Sequence, residues 1–540
     1  LSFAGSITYR MSGSTGWIQK VLVMGAWMSV GVATIPSQVV SPAVEETYRN
    51  PILFADYSDP DVIRDGANYY LIASSFHFVP GIPILQSTDL VHWTNVGHVV
   101  QRLEMDQSYN MIGGNRYGGG VWAPSIRKHD GLFYVYFPTP KEGIFVSTAT
   151  RITGPWSAPI AVIDQAGLED PCPFWDDDGK AYLIHSKVGA GPLILHRMSS
   201  DGKHVLDEGR VIVEDRENLP VLEGPKIYKR NGYYYIFAPF GGVGTGSQAV
   251  LRSRDIYGPY EHRIVLVEGS TDINGPHQGA YVETPDGEGW FIHFQSRGAH
   301  GRIVHLEPVR WQDDWPIIGE AANGATTGEP VQSGPVPGHP RAISQSQPQT
   351  SDEFNSEQLS PQWEWNHNPD DAHWSLTARD GYLRLIPMPA GDLLDARNTL
   401  TQSMQSNSFE FTVRMDLTGM KSGACTGLAM FEKSASGLEI TQSGGERRLS
   451  YFHLPNRTQG PLISQNILQL RVRVEGDGAR YFYSLDDGRT FQPLSAATQI
   501  KPSWWKGARP ALFAYTTEST PSGFVDLDWV HNRPLGSNVF

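Results

Sequence analysis

Between residues 55 and 300 apolar and polar positions alternate over short runs, and each run is broken by a turn built on glycine. Five copies align: "RDGANYYLIAS", "HDGLFYVYF", "DDDGKAYLIHS", "KRNGYYYIFAP" and "PDGEGWFIHFQS". Their turn glycines, Gly66, Gly131, Gly179, Gly232 and Gly287, stand 65, 48, 53 and 55 residues apart. Period-two alternation bounded by Gly, Pro and Asp is a strand and hairpin signal, not a helical one. A repeat of this length predicts a propeller, here of five antiparallel blades.

From Glu320 to Thr350 the aromatics vanish and the chain fills with Gly, Pro, Ser and Gln, which marks a linker or an extended wrap. After "SDEFNSEQLSPQWEWNH" strand patterns return in "GYLRLIPM", "SFEFTVRMDL", "LQLRVRVEG" and "RYFYSLDDGRTFQPL". Runs of this kind predict a β-sandwich of jelly-roll type. The expected chain is therefore all-β: residues 1–45 signal-like or disordered, 46–319 propeller, 320–350 linker, 351–540 sandwich. "SLDDGRTF" also has the spacing of an Asp-box, although a single copy is simply a hairpin turn.

A net charge of -14 with no clustered Lys/Arg run argues against nucleic acid. Cys172 and Cys425, far apart, predict neither a disulfide framework nor a Cys-based zinc site. Near the start, Lys20 precedes about fourteen mostly apolar residues ending at Pro36, too few to span a bilayer. That pattern is a secretory h-region, so export is expected, and no other segment suggests a membrane.

Propeller blades radiate from one axis, so residues that begin the innermost strands gather at one end of the channel. Counting back six to ten positions from each turn glycine reaches Asp59, Ser125, Asp170, Glu223 and His277. Three carboxylates converging on an axis repel one another and shift each other's protonation, which serves proton transfer better than stability. Two working carboxylates and a third as tuner fit glycoside hydrolysis. Phe76 and Trp122 are candidates to pack on pyranose C–H faces, and Arg297 to hydrogen-bond sugar hydroxyls.

The segments "NPILFADYSDPDVIRDGANYYLIASSFHFVPGIPILQSTDLVHW", "GGVWAPSIRKHDGLFYVYF", "EGPKIYKRNGYYYIFAPFGG" and "WQDDWPIIG" together resemble family-43 glycoside hydrolases, which include β-xylosidases and α-L-arabinofuranosidases. The resemblance runs from Asn50 to Gly319, and the remainder is similar to the sandwich accessory domain of β-xylosidase-type members. It implies a five-bladed propeller acting with inversion, with Asp59 as general base, Glu223 as general acid and Asp170 as the residue that orients and tunes the acid. His277 matches a histidine that in some members is linked through water to calcium. Ser125 departs from relatives that carry an acid directly after Trp-Ala-Pro.

The expected substrate is a xylooligosaccharide or arabinoxylan, cleaved without a required cofactor, with burial and Asp170 helping Glu223 keep its proton. The sandwich tips the preference toward xylosides over arabinofuranosides, and it would close one side of the site, since no exposed aromatic row is legible in it. Two rivals remain at this stage. One is a non-catalytic sugar-binding propeller. The other is a Ca²⁺-stabilised adhesion module using acids such as Asp352, Asp526 and Asp528.

Overall fold

The turn glycines explain the architecture. In the computed structural model, which describes residues 47–338, 347–519 and 523–535, all five have positive φ, between 63° and 90°. At Asn231-Gly232 and Asp130-Gly131 both turn residues are left-handed, the pairing that matches the twist of a two-residue hairpin. Each hairpin opens a four-stranded antiparallel blade, and the five blades are sequential in the chain. Their innermost strands are Asp61–Asp65, Ser125–His129, Leu168–Trp175, Lys226–Arg230 and His277–Glu283. The apolar run Lys20 to Pro36 lies outside the described residues.

Alternation along the strands buries aromatics between blades. Tyr235, Phe237, Tyr281, Phe291 and Trp315 form one such cluster between the fourth and fifth blades. Others lie between the second and third and between the third and fourth. A further cluster closes the ring between the fifth blade and the first. Both cysteines are buried and unpaired, as their separation predicts.

The stretch expected as a linker is, in its first half, a wrap. Ser333–Pro335 pairs with Thr47–Arg49, and Glu320 and Gly328 bridge Glu329 and Leu266. Asn50 adds side-chain bonds to Leu306 N and O and to Val331 O, tying both ends of the propeller to its last blade. Glycine and proline here let a chain without side-chain bulk lie flat on the blades.

The C-terminal part is a sandwich of a nine-stranded and an eight-stranded sheet. Its larger sheet does not end within the domain. Phe78–Val79, in the first blade, pairs with Glu364–Asn366 and becomes the edge strand of that sheet. The core follows suit, since one continuous cluster runs from Ile72, Val79 and Phe137 of the propeller to Trp365, Phe411 and Leu470 of the sandwich. Propeller and sandwich fall in one compact unit, Glu45–Phe540.

A buried ion pair sits at this junction. Arg509 donates to Glu364 Oε2 at 2.7 Å and to Thr401 Oγ1 at 2.9 Å, with its guanidinium over the Phe78 ring. Burial alone would push the Glu364 carboxyl up, but Arg509 and His98 hold it down to about 2. Arg509→Met strands that charge, and we expect a loss of about 3–5 kcal/mol in urea denaturation. A loss below about 1 kcal/mol, the range of exposed pairs, would contradict the assignment.

Candidate active site

The innermost strands bring their first residues to one end of the channel. Asp59 lies two residues before its strand and Glu223 three before its own, while Asp170 sits at a break in strand register between Glu169 and Cys172. Asp59 and Asp170 are both left-handed, at φ 54° and 56°. A non-glycine residue there costs on the order of 1 kcal/mol or more, and such strain gathers where side chains must be aimed.

Asp59 is fixed through both oxygens. Arg302 Nη1 donates to Oδ1 and Ser74 Oγ to Oδ2, each at 2.6 Å. Asp170 Oδ2 accepts from Gly224 N at 2.7 Å and from Gln278 Nε2 at 3.3 Å. Gly224 directly follows Glu223, so this bond seats the turn that carries Glu223. His277 Nε2 meets Glu223 Oε1 at 2.6 Å, so the imidazole engages one of the two carboxylate oxygens. Glu223 is also the more open end of that pair, its side chain 16% exposed against 0% for His277.

A fourth acid belongs to this group. Carboxylate oxygens of Glu169, Asp170 and Glu223 lie within 4.8 Å of one another, and Asp59 is not part of that cluster. Glu169 accepts one bond, from Ala190 N at 3.1 Å. Burial first, then Asp170 and Glu223, push the Glu169 carboxyl far above its ordinary range. Burial and Glu223 likewise raise Asp170, with Lys226 pulling against them. Oxygens this close could in principle flank a cation, but Asp170 and Glu169 already take backbone N–H donors. The arrangement suits shared protons.

The second ring nitrogen of His277, Nδ1, packs so closely on Gly246 that a Cβ there would come within 2.7 Å. In the sandwich, Asp526 bonds Arg384 and Arg379, Asp528 bonds Arg414, and Asp352 accepts from Trp363 and Phe354. Among the described residues the three form no common group.

Of the sugar-contact candidates, Phe76 and Trp122 come together at 6.3 Å, edge to face. Arg297 is exposed at the start of the 3-10 turn Gly298–His300, whereas the arginine that reaches Asp59 is Arg302, just beyond that turn. The remaining wall comes from the sandwich. In the tight turn Ser503 to Lys506, Trp504 and Trp505 are both left-handed, at 54° and 68°. Trp504 stacks on Tyr117 at 4.2 Å, and Trp505, 56% exposed, stands edge-on to Trp122 at 6.1 Å and near Arg302. Lys506 Nζ then donates to Asp56 O and Ser74 O, and Gly507 N to Asp56 Oδ2, so the same loop clamps the turn of Asp59.

With this geometry in place, comparison with known proteins is informative. The model of "Glycosyl hydrolases family 43" matches residues 48–316, and that of "Beta xylosidase C-terminal Concanavalin A-like domain" matches 351–533. A Xylanibacter ruminicola protein with the provisional description of a beta-xylosidase is 45% identical over 469 residues, 86% of this chain and 85% of that one. A non-reducing end alpha-L-arabinofuranosidase of Bacteroides ovatus is 32% identical over 384 residues, 68% of each chain. The crystal structure of a xylan beta-1,4-xylosidase from Bacillus halodurans superposes with a TM-score of 0.78 at 25% identity, covering 90% of this chain and 99% of that one.

The raised Glu169 carboxyl has a consequence for stability. A group protonated when folded but ionised when unfolded withdraws stability as pH climbs from its unfolded value toward its folded one. Glu169→Gln removes that titration. Urea midpoints of variant and wild type should differ least near pH 4.5, and the variant should gain steadily toward pH 9. A difference that stays constant with pH would mean that Glu169 is already ionised in the folded protein.

Proposed function

The chain belongs to glycosyl hydrolase family 43, and from that premise we propose an exo-acting, inverting β-xylosidase that releases xylose from the non-reducing ends of xylooligosaccharides and also takes α-L-arabinofuranosides. The observation that carries this reading is the wall beside Asp59: Trp505, from the sandwich, stands edge-on to Trp122 and near Arg302, which bonds Asp59, a placement suited to a chain end rather than to the middle of a polymer.

The mechanism is a single displacement. Water enters between Asp59 and the anomeric carbon; Asp59 takes its proton as the C–O bond to the aglycone breaks. Glu223 delivers a proton to the departing oxygen through the carboxyl oxygen that His277 does not hold. Inverting enzymes keep ~6.5–9.5 Å between these carboxyl groups to admit the water, and this mechanism requires that spacing of Asp59 and Glu223. Arg302 holds Asp59 in line, and Asp170 seats the Glu223 turn through Gly224.

The reaction consumes only water and moves protons among carboxylates, so we propose that no cofactor takes part. Xylooligosaccharide or arabinoxylan ends would then be encountered outside the cell. The run Lys20 to Pro36 supports that placement.

The test is kcat/KM on an aryl β-D-xylopyranoside and an aryl α-L-arabinofuranoside side by side, for wild type and Glu223→Gln. Wild type should prefer the xyloside; a preference for the arabinoside would make this a debranching arabinofuranosidase with the same acids in the same roles. General-acid catalysis supplies roughly 10²–10⁴-fold. Glu223→Gln should lose that factor on xylobiose and much less on an aryl xyloside, whose leaving group needs little protonation. Equal losses would remove Glu223 from the acid role.

A further inference from the structure

Lys226 is a buried lysine three residues beyond Glu223, on the innermost strand of the fourth blade, and 1% exposed. Among the described residues no carboxylate oxygen bonds it. Its Nζ crosses the channel to the second blade, donating to Ser125 Oγ at 2.9 Å and Pro124 O at 3.4 Å. Ser125 Oγ in turn donates to Pro171 O at 2.6 Å, the carbonyl next to Asp170 in the third blade. One lysine thus links the starting turns of three blades, two of which carry catalytic acids.

We propose that Lys226 is a positioning residue for the reaction: it locks the turn of Glu223 against that of Asp170 and supplies the positive charge that offsets the carboxylates gathered there. The proposal rests on the roles given above to Glu223 and Asp170. The groups facing Asp170 make the need plain. Asp59 stands on the first blade, already paired with Arg302; Glu169 adjoins it on the third, and Glu223 approaches from the fourth, with His277 of the fifth bonded to Glu223. The second blade brings only neutral Ser125 at this level, because Arg127 is engaged below with Asp61 and Cys172. Gln278 and Ser186 add neutral donors. Among the described residues Lys226 is the cation left to act on Asp170, and its charge does pull that carboxyl down against burial and Glu223. A carboxylate in place of Ser125 would meet the ammonium first and cancel it.

The experiment is the pH profile of kcat/KM on an aryl β-xyloside for wild type, Lys226→Met and Ser125→Asp, with circular dichroism and melting to confirm folding. Both variants should move the midpoint of the acid limb to higher pH, by ~1 unit or more. If the methionine variant does not fold, Ser125→Asp, which keeps the lysine, decides alone. A profile that falls equally at every pH, or shifts to lower pH, overturns the proposal. A wild type inactive on both xyloside and arabinofuranoside would instead overturn the functional reading beneath it.

Discussion

Like charges held together in a dry place govern this molecule. Three carboxylates on two neighbouring blades share a few ångströms, and a fourth faces them from the first blade. At 4–5 Å two bare carboxylates repel strongly at the dielectric of a protein interior, so the group persists only by holding protons or by recruiting compensation. Both are visible. Glu169 and Asp170 are pushed toward the protonated form, while Arg302, His277, Lys226 and the Gly224 N–H each engage or act on one member. The five-bladed ring makes this tolerable, because the acids are anchored at the starts of rigid hairpins in the first, third and fourth blades and engage partners in other blades.

The sandwich serves the same end from outside. Its largest sheet takes a strand from the first blade, so the two parts share backbone hydrogen bonds and one apolar core. The loop Ser503 to Gly507 then reaches the propeller, where a strained pair of tryptophans packs on Tyr117 and Trp122 and Lys506 secures the turn of Asp59. A domain that might have been a separate sugar-binding module is here part of the active-site frame.

Much of this was legible in the sequence. The five turn glycines adopt the left-handed backbone that only glycine takes freely, and once they are aligned the positions of Asp59, Asp170 and Glu223 follow from strand length. What the pattern hid has physical reasons. Glu169 and Asp170 are neighbours, and on a regular strand they would point to opposite faces; the register break after Glu169 brings both into the cluster. Arg302 carries no signal in the sequence that sets it apart from Arg297, because the 3-10 turn between them decides which one reaches Asp59. Trp505 lies hundreds of residues from the site it lines, and nothing in "SWWKG" tells which surface the turn will meet. Composition left a linker and a wrap both open for this stretch, and its few apolar residues, Val331 and Val336, decide for the wrap by packing into the seam of the ring.

The central claim is that a base and an acid act on opposite faces of the sugar with water between them. Proton NMR of the first turnovers on a β-xyloside tests it directly, because the anomeric signal of the sugar released precedes mutarotation. The account predicts α-xylose first, with the β anomer growing in only as the solution equilibrates. β-Xylose as the first product would mean a covalent intermediate, and with it a different role for Asp59.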